Sequence, residues 1–167
     1  MQRLRTLHPE SHFTQVPNEA LDTLPDLESV GLLAHLLRHR DDFEFDLQKL
    51  VATKPGVTRR TASRARAQLI SHGYLVIVKF RHDFRGRFST EVYRSAAPHT
   101  DSDLAELASR YTLGTGIQVP IGSDEKGDTI WKKVTITWAQ IESWRGTELV
   151  TQYGSLEPKN AEAADAA

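Results

Sequence analysis

At Gly73 the hydrophobic period of the chain changes from helical to two, and this change restricts the folds open to it. Upstream, over 58–72, Ala62, Ala65 and Leu69 recur at the spacing of one helical face. Thr58 suits the N-cap of that helix, and Gly73 suits its end because glycine accepts the positive φ that closes a helix. Downstream the period falls to two. Leu75, Val76, Ile77, Val78 and Phe80 mark a strand over 74–82, residues 83–86 (Asp-Phe-Arg-Gly) a turn, and Phe88, Val92 and Tyr93 a returning strand over 87–94. A helix leading through glycine into a β-hairpin is the expected centre of the fold.

The segments before it read as helices. Asp26 is placed to cap a helix over 27–40 with a broad stripe of Val30, Leu33, Ala34 and Leu37. Asp46 is placed to cap a second over 47–53, which Lys54, Pro55 and Gly56 end in a turn. Phe13 and Val16 to Asn18 lead into this unit as an extended segment. After residue 97 the composition turns acidic. A short helix over 101–111, a second hairpin over 117–138 with a polar turn at 122–128, and a last helix capped by Thr137 and Gln140 and running through Ile141 and Trp144 are expected there. The class is α+β, divided into an N-terminal arm (1–12), a helix and hairpin domain (13–96), a small α+β module (101–153) and a disordered tail (154–167).

Charge is segregated. Between Lys54 and Arg94 lie ten of the twenty-one Lys and Arg with only two acids, Asp83 and Glu91, a net of +8; the other residues carry eleven bases and twenty acids, a net of −9. Neutralising phosphates releases condensed counterions, so concentrated positive charge on one stretch points to a polyanionic partner. With no cysteine, disulfides, thiol catalysis and cysteine-ligated metals are excluded. No apolar run approaches the roughly 20 residues that span a bilayer, and residues 1–12 have no signal-peptide core. The expectation is a cytoplasmic, nucleoid-associated protein with no membrane partner.

Helix, helix, short turn, helix with an arginine-rich start, then a basic hairpin is the order of a winged helix-turn-helix, in which side chains near the start of the third helix read bases and the wing follows phosphates. Arg59, Arg60, Ser63 and Arg64 are the expected readers, Thr58 and Thr61 phosphate donors at the positive end of the helix dipole, and Lys79, Arg81, Arg85 and Arg87 the wing anchors. Arg66 is open to two roles, a phosphate contact or an internal ion pair.

Phe13 with residues 16–18 (Val-Pro-Asn), residues 31–33 (Gly-Leu-Leu) with Leu36 and Leu37, Phe45, Leu50, residues 56–61 (Gly-Val-Thr-Arg-Arg-Thr), Leu69, residues 73–75 (Gly-Tyr-Leu), and residues 86–88 (Gly-Arg-Phe) with Tyr93 carry a resemblance to a family. About half of the chain resembles the winged helix-turn-helix domains of bacterial, phage and plasmid proteins related to DnaD-like and replication-initiator N-terminal domains. The resemblance implies sequence-specific binding of double-stranded DNA, for transcriptional control or for replication and maintenance of mobile elements. Two recognition helices discriminate far better than one, so a homodimer on a pseudo-palindromic site is expected.

Other motifs carry less. His35 and His39 have a metal-clamping spacing, but the glutamate of a zincin motif is missing, and residues 114–116 (Gly-Thr-Gly) lack the lysine of a phosphate loop. No catalytic constellation, metal site or cofactor is expected, and the chain is read as a non-enzyme. Trp131, Trp138 and Trp144 form either a small core or a dimer or partner surface in the C-terminal module. Two alternatives stand beside a dimeric transcriptional regulator: a plasmid or phage replication or partition factor, and a winged-helix protein adaptor that does not bind DNA.

Overall fold

The computed structural model describes residues 2–6, 14–41, 43–84, 88–113 and 116–150, with the backbone alone for 2–6 and 113. The class is α+β, with one central sheet between two layers. The expected extended segment at Phe13, the wing turn with Arg85 and Arg87, the turn at Gly114 and Thr115, and the tail over 154–167 lie outside the described residues. Among the described residues no helix is long and apolar enough to cross a membrane.

The helices begin where local chemistry directs. After the short α1 (Asn18–Thr23), α2 (Leu27–Leu37) starts at Asp26, whose carboxylate accepts from the Ser29 N–H at 2.8 Å and the Ser29 hydroxyl at 2.5 Å. It ends earlier than the expected 27–40, and the ring of His39 stacks on Phe43 at 3.6 Å. Strand β2 (Glu44–Phe45) precedes α3 (Leu47–Thr53), which Asp46 caps through the Gln48 N–H. Helix α4 (Arg59–Ser71) opens on a reciprocal cap between Thr58 and Thr61. It closes at Gly73, φ +82°, where the Gly73 N–H donates to the Ile70 carbonyl and the Tyr74 N–H to the Leu69 carbonyl.

The sheet has the order β2-β1-β4-β3-β7-β8, with β1 (Gln2–Thr6), β3 (Leu75–His82), β4 (Phe88–Arg94), β7 (Ile136–Ser143) and β8 (Gly146–Val150). All pairings are antiparallel except β1 with β4. The segment assigned to an arm thus contains a strand of the main sheet. One face of the sheet carries α1–α4 over a core that includes Leu33, Leu36, Leu69, Leu75, Ile77 and Val92. The other carries α5 (Asp101–Leu113) and the hairpin of β5 (Gln118–Ser123) and β6 (Thr129–Lys133) over a core that includes Val78, Phe80, Tyr93, Leu107, Tyr111 and Ile141.

The second hairpin forms with its polar turn, but its returning strand ends at Lys133 instead of running to Trp138, and the last helix does not form. Residues 136–143 are β7, paired with β3 from Ile77 to His82, and Thr137 donates its hydroxyl to the Arg81 carbonyl instead of capping a helix. The register shifts here, so that Arg81 faces Trp138 while His82 faces Ile136. The spacing of Ile141 and Trp144 by three, behind Thr137 and Gln140 spaced as a capping box, imitates a helix start, while Ala139, Ile141 and Ser143 are buried in strand alternation. Pairing the open backbone edge of β3 outweighs so short a local pattern.

Candidate nucleic-acid interface

Helix α4 packs Ala62, Ala65 and Leu69 inward, which leaves Arg59, Arg60, Ser63 and Arg64 on its exposed arc. The arc is divided between two neighbours. Arg59, Ser63 and Arg66 line a groove against Phe45 of β2 and Gln48 and Ala52 of α3. Arg64 turns the other way, its Nη2 3.0 Å from Oδ2 of Asp26, while two thirds of its side chain stays in solvent. Asp26 is held below the usual carboxylate range first by its hydrogen bonds from Ser29 and then by Arg64. Arg64 therefore meets one of the protein's own acids, whereas Arg59, Arg60 and Ser63 are exposed beside it.

The Thr58 and Thr61 hydroxyls work within the cap. Thr61 donates to the Thr58 carbonyl at 2.9 Å, and the two Oγ atoms are 3.1 Å apart. The first-turn N–H groups of Arg59 and Arg60 have no carbonyl one turn back, and these are the donors that a helix N-terminus presents to an anion.

Strand β3 displays the second part of the site. Leu75 to Val78 are buried on both faces because both layers cover them; from Lys79 onward the pattern alternates, with Lys79 and Arg81 exposed and Phe80 and His82 buried. Lys79 and Arg81 share the face of Leu75 and Ile77, the face on which α4 packs. The cations of helix and strand thus lie on one side of the sheet. Arg85 and Arg87 belong to the undescribed turn.

Neither acid of the basic stretch lies free on this side. Glu91 is buried on the opposite face, where it accepts from the Tyr93 and Tyr111 hydroxyls at 2.9 and 2.5 Å. Burial, then Tyr93 and Glu91, pushes the Tyr111 hydroxyl well above its ordinary range. Asp83 is tied at the end of β3 to the backbone of Thr135, accepting from its N–H at 3.1 Å. Arg94, counted among the ten bases, is internal: it donates to the His39 carbonyl and lies 3.6 Å from Asp41.

Sequence reasoning did not bring Phe88 and Trp138 to this face. Arg81 pairs with Phe88 on β4 and with Trp138 on β7, and the two rings meet edge to face at 5.6 Å. Alternation places Phe88 on a face, but its meeting with a residue fifty positions later depends on the β3–β7 register. Trp144 packs against the second core, and Trp131 is exposed on β6. The histidine pair is engaged in packing: His35 meets His39 edge to face at 4.7 Å, and His39 stacks on Phe43. No group of three metal-binding side chains occurs among the described residues.

Compared with protein-family models, with curated proteins and with solved structures, the chain matches none.

Proposed function

We propose that this chain is a winged-helix protein that binds double-stranded DNA sequence-specifically, with α4 in the major groove and the β3–β4 hairpin along the flanking phosphates. The observation that carries the reading is a cluster of exposed cations on the α4 side of the sheet, from a stretch whose own two acids are engaged elsewhere. Arg59, Arg60, Lys79 and Arg81 are exposed on one side of the sheet, while Glu91 is buried on the other. Arg59 and Arg60 near the start of α4 are the base readers, because guanidinium pairs bidentately with guanine; Ser63 supports them, and the first-turn N–H groups take a phosphate. Arg64 joins them if it exchanges Asp26 for phosphate. The biological role follows as transcriptional regulation by a cytoplasmic, nucleoid-associated homodimer on a pseudo-palindromic site.

The experiment is selection of a preferred duplex from random sequence, followed by titration of variants on it. Replacing Arg59 or Arg60 by Ala should cost about 1–3 kcal/mol and relax preference at particular base pairs. Replacing Lys79 or Arg81 by Ala should weaken all duplexes alike. With about six phosphate contacts, log affinity should fall against log salt with a slope near −5. A doubly substituted Arg59→Ala, Arg60→Ala chain that keeps full affinity and preference would overturn the assignment, and a chain with no affinity for any duplex would favour the adaptor.

A further inference from the structure

We propose that the exposed sheet face beside α4 is a stacking platform for unpaired nucleotides, built from Phe88 and Trp138 with Arg81 between them and Lys79 alongside. The inference rests on reading the chain as a nucleic-acid-binding protein and specifies a second form of DNA that it holds. Adjacent strands lie about 4.8 Å apart, so residues on β4 and β7 with β3 between them start roughly twice that distance apart. The ring centroids of Phe88 and Trp138 are nevertheless 5.6 Å apart at 85°, so the two side chains lean toward each other across Arg81. Phe88 remains 56% exposed, unusual for a phenylalanine with a second core available one residue away. The Lys79 ammonium stands 4.8 Å from the Phe88 centroid.

The chemistry around the rings selects the occupant. On this face the row after Phe88, Arg81 and Trp138 is Thr90, Lys79 and Gln140, which contains no acid. The first acid on this face of β7 is Glu142, in the row beyond, opposite Ile77. Aromatic rings flanked by two cations, a hydroxyl and an amide suit a base, which offers a π-face, and its phosphates, which carry negative charge. A duplex keeps its π-faces stacked inside, so only unpaired bases can use the rings. Lys79 and Arg81 then serve both DNA forms, which sets the platform next to the duplex held by α4.

The test compares the full chain on a blunt duplex and on the same duplex with a single-stranded oligo(dT) tail of about ten nucleotides. The tail should tighten binding by about tenfold or more, and Phe88→Ala or Trp138→Ala should abolish the tailed-to-blunt ratio, whereas Phe88→Tyr and Trp138→Phe should retain it. In a folded variant with Trp131→Phe and Trp144→Phe, oligo(dT) alone should quench the remaining Trp138 emission. A tail that adds less than about twofold, or Trp138 emission indifferent to oligo(dT), overturns the platform even where the blunt duplex binds well. Oligo(dT) binding lost on Phe88→Ala, without any blunt-duplex affinity, supports the platform and removes the major-groove reading.

Discussion

Gly73 shows how much one residue controls. Its φ of +82° lies in the left-handed region, and an added Cβ would sit 3.3 Å from the Pro98 Cβ. Gly73→Ala should therefore cost about 1–3 kcal/mol, visible as a lower denaturation midpoint, because the strain falls at the junction of α4 and β3. Asp26 has two tasks on separate oxygens, capping α2 through Oδ1 and holding Arg64 through Oδ2. Asparagine caps about as well as aspartate, so Asp26→Asn should leave thermal stability nearly unchanged while freeing Arg64. On the proposed function, its affinity for duplex DNA should rise in a titration at low salt.

At the scale of elements, the informative case is β7. It pairs with β3 along the edge that a free hairpin would leave open, and it brings Ala139 and Ile141 to the core that also covers Val76, Val78 and Phe80. A chain ending at Ala97 would expose those three side chains, each worth about 1.5–3 kcal/mol of burial, against a typical total stability of about 5–15 kcal/mol. We expect that shortened chain to aggregate, or to melt without a cooperative transition in circular dichroism. The full chain should unfold cooperatively.

Over the whole molecule, burial of histidines sets a pH dependence. Burial first, and then His35, Arg38 and Arg94, lowers His39 from 6.5 to about 4; burial lowers His35 and His82 as well. Between these values the unfolded chain binds more protons than the folded one, so stability is intact above about pH 6.5 and declines as the pH falls toward 4. Urea titrations should give a lower stability at pH 5 than at pH 7, and His39→Gln should flatten the difference.

The sequence by itself determined the features set within a few residues: the caps at Asp26, Asp46 and Thr58, the stop at Gly73, the two hairpins and the exposed arginine arc of α4. These were legible because a cap or turn is satisfied by neighbours along the chain. Tertiary structure decided that 136–143 is a strand, that β1 joins the sheet, that Arg64 meets Asp26, that Arg94 and Glu91 leave the surface, and that Phe88 meets Trp138. Each depends on groups distant in sequence and on a register that only packing fixes. The free backbone edge of β3, and the need to cover both faces of its buried half, make that choice.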